Sequence, residues 1–302
     1  MKHLFIVNPA AGKTDRTGTV NAAVASAFVG RSDEYEVVVS RAPGHCTKLA
    51  RAACETGEEL RIYACGGDGT LNEIVNGVMG FPNAAISCYP QGTGNDFIKV
   101  FSDPDAFRQL PLLLDGEESE FDVIAVNGDR YAINICSMGF DARIGTQVAD
   151  YKRLPMVKGK SAYLLSALVN TVRGITSPYT ITLDNGQVLD GRKTLVCIAN
   201  GRWYGGCFNP VPEAMPDDGL LDVLVVEPVT RMTVAAAIGR YQHGQYAQYP
   251  NLIRHHQCRS LRIQCPEPEG VNLDGELLFS KDVTFSVADQ KIRFVHPRDM
   301  VW

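Results

Sequence analysis

The sequence predicts an α/β protein in two parts. A parallel-sheet domain spans about residues 1–120 and a β-rich sandwich domain about residues 121–289. Three observations carry this. Over the first hundred residues, short apolar runs alternate with segments of helical length. Three of those runs end in glycine- or asparagine-rich turns. Beyond Asp115, strand-like runs recur in pairs around turn sequences, with one helix among them.

Leu4 to Asn8 reads as a strand ending in Asn8-Pro9-Ala10-Ala11-Gly12-Lys13, with a helix expected from about Thr19 to Phe28. Tyr35 to Ser40 is a second strand. Gly44 to Thr56 reads as a helix with Leu49, Ala50 and Ala53 on one face. Leu60 to Cys65 is a third strand, and Gly66-Gly67-Asp68-Gly69-Thr70-Leu71-Asn72-Glu73 turns it into a helix reaching Met79. Ala84 to Tyr89 is a fourth, followed by Pro90-Gln91-Gly92-Thr93-Gly94-Asn95-Asp96-Phe97. Such a Rossmann-like sheet binds ligands beyond the carboxyl ends of its strands, where all three turns fall. Glycines there let backbone N–H groups approach a polyanion closely. The competing reading is three tight turns, one with a good helix cap.

In the second half, Phe121 to Val126 and Arg130 to Cys136 read as a hairpin around Asn127-Gly128. Thr180 to Leu183 and Val188 to Leu189 flank a second. Strands are also expected at Leu195–Ala199, Leu220–Val226, Ser260–Gln264, Val283–Val287 and Ile292–Val295, with a helix near Thr230 to Tyr241. The tail, about 290–302, either closes this half or returns to the first domain.

With 302 residues there is enough chain for two cores. A net charge of −5 supplies no basic field, so no nucleic-acid partner is expected. Nine scattered cysteines without a Cys-x-x-Cys pair fit a reducing cytoplasm. The chain opens directly into a strand, and no apolar run reaches spanning length; Ser161 to Val172 reads as a partly buried helix. Tyr151 to Lys160 mixes four basic residues with apolar ones, which suits either a solvated loop or an anionic bilayer surface.

Asp68 lies among phosphate-binding glycines, where a bridging Mg²⁺ would remove the charge conflict; a helix N-cap is the alternative. Asp274 and Glu276 sit two apart and would share a face if extended, where their repulsion would raise the pKa of one of them. An Asp-Gly hairpin turn would account for Asp274 alone. Asp217-Asp218-Gly219 is by itself a good turn. His255-His256 with Cys258 would suggest a metal site only with a further ligand at the right spacing, and reads instead as a polar loop before a strand; Trp203-Tyr204-Gly205-Gly206 reads as a cleft wall or ordinary aromatic contact.

These motifs, with Ala214-Met215-Pro216-Asp217-Asp218-Gly219-Leu220-Leu221-Asp222 and Asp274-Gly275-Glu276, resemble the diacylglycerol kinase catalytic domain family over nearly the whole chain. That family includes sphingosine kinases and small bacterial lipid kinases. The resemblance implies ATP on the first domain, touching Asn8, Ser40, Gly66, Gly67, Asp68, Gly69, Thr70, Leu71, Asn72 and Thr93. It implies a structural Mg²⁺ held by the Met215 carbonyl, the Asp218 carboxylate and the Leu220 carbonyl, with Asp122 in the linked charge network. Glu276 would be the proton acceptor and Asp274 its partner, in a cleft between the domains. The implied acceptor is a lipid hydroxyl met at a membrane surface, diacylglycerol first, then phosphatidylglycerol or a sphingoid base. An NAD kinase-like enzyme and a catalytically silent nucleotide- or lipid-binding regulator are the rival readings, and a homodimer is left open.

Overall fold

A computed structural model describes residues 1–140 and 175–302. The basic segment at 151–160 and the helix expected at 161–172 lie outside the described residues.

Strands β1 (Lys2–Val7), β2 (Glu34–Val39), β3 (Leu60–Gly66) and β4 (Ala84–Pro90) form a parallel sheet in the order β2-β1-β3-β4. Helices α1 (Thr17–Ala27), α2 (His45–Cys54) and α3 (Asp68–Val78) make the crossovers. β1, β3 and β4 are apolar on both faces because helices or loops cover both sides. After a short helix α4 (Leu110–Leu114), β5 (Glu117–Phe121) closes the sheet, and β16 (Ile292–His296), from the chain's far end, lies between β4 and β5. Phe97 packs edge to face on Phe101, Phe121 and Phe294 around that insertion, and Phe101 stacks on Phe294. Burying one such ring contributes about 2–3 kcal/mol, enough to hold a returning tail strand.

The hairpin expected from Phe121 to Cys136 is therefore divided. Phe121 ends β5 in the first sheet, and only β6 (Ile124–Val126) and β7 (Arg130–Ala132) pair around Asn127-Gly128. β8 (Ile135–Gly139) starts a separate ladder.

The second domain has two layers joined by one long ribbon, β14 (Ser260–Leu273) with β15 (Glu276–Val287). A bulge between Gln264 and Glu269 divides it. The first half of β14 pairs with β9 (Ser177–Leu183), and β9 with β10 (Val188–Lys193). Its second half pairs with β8, which continues to β11 (Leu195–Ala199), β12 (Leu221–Val226) and β13 (Ile253–Cys258). A ribbon that bends at a bulge can serve both layers of a sandwich. Tyr179, Ile181, Val196, Val223, Val271 and Phe285 fill the space between them. β14 and β15 exceed the expected strands because Pro266, Glu267, Pro268 and Glu269 mask the pattern at the bulge. β13 replaces the polar loop expected at His255–Cys258. His255 reaches Asp222 of β12 at 2.6 Å, and that bond raises the histidine's pKa.

β11 and β12 are buried on both faces. Their outer face meets helix α5 (Arg231–Gln242) and the 203–214 loop through Tyr204, Phe208, Val211, Tyr241 and Tyr249. Among the described residues, no helix is long and apolar enough to cross a membrane.

Candidate active site

The three turns meet. The Asn8 side chain donates to the Thr70 hydroxyl at 3.0 Å and accepts from the Ala10 N–H. Gly12, at φ +80°, leaves so little room that a Cβ would lie 2.7 Å from the Gln91 carbonyl oxygen. A Cβ on Gly92 would come within 2.5 Å of the Gly67 Cα. Only glycine lets two backbones approach so closely. Gln91 and Gly92 both donate to the Gly66 carbonyl, which fixes the two turns against each other. Ser40 follows β2 directly, with its N–H on the Val7 carbonyl. Glu73 turns away from this rim and caps α2 through the Gly44 and Cys46 N–H groups.

Asp68 opens α3 and accepts from the Asp96 N–H. Burial, then the Asp96 charge, raises its pKa. Asp96 accepts from the Lys99 ammonium at 2.5 Å and from the Gly206 N–H of the second domain at 2.8 Å. Lys99 also donates to the Gly206 carbonyl and lies over the Trp203 ring. Asp96 and Lys99 thus tie the 203–208 loop to the phosphate turns. Neither was assigned a role from sequence. Their spacing of three on a turn after the glycines is the signal that could have found them.

Asp274 and Glu276 do not share an extended stretch. Asp274 (φ +50°) and Gly275 (φ +99°) form the two-residue turn between β14 and β15, with Leu273 and Glu276 paired across it. The Asp274 carboxylate accepts from the N–H groups of Ile133, Asn134 and Ile135 and from the Asn72 amide. Ile133 and Asn134 lie between β7 and β8, so this carboxylate satisfies backbone N–H groups at the point where the expected strand divides. Burial pushes its pKa up to about 6, against the lowering pull of its donors. The Glu276 side chain is exposed and makes no hydrogen bond or ion pair among the described residues.

A cavity of about 1030 Å³ joins these parts. Asp68, Gly69, Thr93, Asp96 and Asp274 line one end. Phe140, Leu195, Phe208, Val226, Ile238 and Leu252 line the other, between the sandwich and α5. Leu71, Tyr204, Gly205 and Gly206 also face it. Asn8, Ser40, Gly66, Gly67, Thr70, Asn72 and Glu276 do not line it.

Two places offer hard oxygen donors of the kind Mg²⁺ takes. At the phosphate turns are Asp68 and Asp96, beside a buried Asn95 side-chain oxygen with no partner. At the loop 215–220, Asp218 accepts from the Leu220 N–H, and burial raises its pKa. Asp122, fully buried, accepts from the Gly219 N–H at 2.7 Å and pairs with Lys291 at 3.0 Å; Lys291 also donates to the Asp217 carbonyl. Oxygen donors are thus present at both places, with the Lys291 ammonium already against Asp122 at the second, and no group of three His, Cys, Asp or Glu side chains converges among the described residues.

A nucleotide-type sheet whose glycine turns open onto acids at the mouth of an apolar cavity defines a phosphotransferase for an alcohol on an apolar molecule. Residues 2–126 match the diacylglycerol kinase catalytic domain, and residues 134–296 match the YegS C-terminal NAD kinase beta sandwich-like domain. The chain belongs to this family of lipid kinases, for which ATP is the phosphate donor. It is 30% identical over 242 residues to a protein of Shewanella frigidimarina named "Probable lipid kinase YegS-like", covering 78% of this chain and 76% of that one. It is 26% identical to a diacylglycerol kinase of Staphylococcus carnosus over 88% of this chain and 86% of the other. The fold is shared with a solved diacylglycerol kinase structure from Bacillus anthracis (TM-score 0.70, 23% identity, 99% and 98% covered).

Proposed function

We propose that this lipid kinase moves the γ-phosphate of ATP to the hydroxyl of diacylglycerol, with phosphatidylglycerol and sphingoid bases as the next candidates. The observation that carries the reading is the two-ended cavity, glycine turns and acids at one end and an apolar chamber at the other. The apolar end suits acyl chains, and a hydroxyl at the boundary would lie beside Asp274 and Thr93. The nucleotide phosphates would rest on the backbone of Gly66 to Asn72 and on Thr93.

The acceptor oxygen forms its bond to the γ-phosphorus as the bond to the β,γ-bridging oxygen breaks, and the hydroxyl proton passes to Glu276. Two features favour Glu276 over Asp274 as the base. Asp274 already accepts from four donors, which leaves little lone-pair capacity. The Glu276 side chain is unengaged and exposed at the cavity's edge, next in sequence to the lining residues Gly275 and Leu277 though not itself a lining residue. Asp274 would hold the hairpin that carries it. Mg²⁺, when bound, would neutralise phosphate charge at Asp68 and Asp96 and brace the Met215, Asp218 and Leu220 loop.

The test is incubation with labelled ATP, Mg²⁺, a panel of these lipids and NAD. Label in phosphatidic acid is the expected result. Label in another lipid changes the acceptor, and labelled NADP with no labelled lipid overturns the reading.

A further inference from the structure

Helix α5 forms one wall of the cavity, and its outward side is apolar as well. Thr233, Val234, Ala237, Ile238 and Tyr241 line the cavity. Met232 is 84% exposed and Ile238 42%, and Ala235, Ala236 and Gly239 are exposed with them. Tyr241 alone in the helix is buried. A helix apolar on most of its circumference is normally enclosed by protein or lipid. Thr230 caps its first turn, and Arg240 is held to Tyr249 of the cavity wall by a 2.6 Å hydrogen bond.

The helix itself carries two arginines, Arg231 and Arg240, and no Asp or Glu, in a chain whose net charge is −5. Arg231 at the helix start is exposed and makes no ion pair among the described residues; Arg240 sits in the last turn. Exposed apolar residues between arginines, on a helix of roughly 18 Å, match a segment that lies in the headgroup region of an anionic bilayer.

We propose that α5 docks on an anionic bilayer surface. Met232, Ala235 and Ala236 enter the headgroup–acyl boundary, Arg231 and Arg240 meet lipid phosphates, and the acceptor lipid passes beneath the helix into the cavity. This rests on the lipid-acceptor reading above, and adds the face of the molecule that meets the bilayer.

The test uses the full chain and its M232E/A236E variant, since neither position lines the cavity. Co-sedimentation with vesicles of phosphatidylcholine and phosphatidylglycerol should weaken about tenfold or more in the variant. Phosphorylation of diacylglycerol in those vesicles should fall in parallel. Phosphorylation of monomeric dihexanoylglycerol in buffer should stay at the wild-type rate. A wild-type chain that ignores the vesicles, a variant that sediments as well as wild type, or a variant equally impaired on the monomeric substrate overturns the proposal. Vesicle binding that depends on Met232 and Ala236, without phosphate transfer to any lipid, supports the docking helix and overturns the acceptor assignment instead.

Discussion

Asn72, on the helix that follows the glycine turn, donates its side-chain amide to Asp274 in the hairpin of the second domain, at 3.2 Å. The same amide reaches the Tyr131 carbonyl, and Asn76, one turn on, exchanges two hydrogen bonds with the Tyr131 backbone. The helix that presents the phosphate turn is thus also the element on which the acid hairpin rests. A shift of α3 on ligand binding would be felt at Asp274 without an intermediate.

Asp274 should make stability depend on pH. Its pKa is raised from 3.8 to about 6, so the folded chain holds that proton more tightly than the unfolded chain. The stabilisation is fully present below about pH 3.8 and is lost as pH rises through about 6. At about 1.4 kcal/mol per pH unit it amounts to at most about 3 kcal/mol. D274N cannot ionise, and its amide nitrogen meets backbone donors, so it should be less stable throughout. The gap from wild type should narrow between pH 4 and pH 7, as read by denaturant unfolding. A constant gap would show that Asp274 keeps an ordinary pKa.

Gly69 and Gly92 should separate binding from folding. A Cβ at Gly69 meets nothing within 4 Å, and its helical position favours alanine by about 0.5–1 kcal/mol. G69A should raise the unfolding midpoint yet weaken ATP binding, because the methyl group would stand where a phosphate is to approach the backbone. G92A pushes a methyl into Gly67 and should lose stability and ATP binding together. Calorimetric titration beside thermal unfolding reads both; undiminished ATP affinity in G69A would move the phosphates away from this turn.

The first sheet and the meeting of its turns were legible because apolar runs and glycines are local signals. Asp274 as a clamp was not. Its role depends on three N–H groups some 140 positions away, and Ile133-Asn134-Ile135 continues a strand-like alternation with nothing local to mark a break. The strand β13 was missed because His255 and His256 are polar by composition and the buried Asp222 opposite is visible only in the fold.

Lys99 should matter more for the assembled site than for either domain alone. Its ammonium compensates the buried Asp96 carboxylate and holds the Gly206 carbonyl. K99M leaves Asp96 unpaired beside Asp68 and should cost about 3 kcal/mol of stability. D96N/K99M removes the stranded charge and should recover part of that loss. Additive effects in the double-mutant cycle would mean that the two side chains do not interact.

Glu276 and Asp274 should fail differently. Glu276 is exposed and unengaged, so E276Q should unfold at the wild-type midpoint and bind ATP as wild type does. Without an acceptor for the hydroxyl proton, kcat should fall about 10²–10⁴-fold, with KM for ATP unchanged. D274N should lower stability and kcat together, because it loosens the hairpin, the 133–135 backbone and the contact with Asn72 at once. The decisive measurement is kcat against pH for wild type and E276Q, with unfolding followed under the same conditions. If E276Q keeps wild-type kcat while a folded D274N loses it, the proton goes to Asp274, whose raised pKa and place on the cavity wall would then define the base.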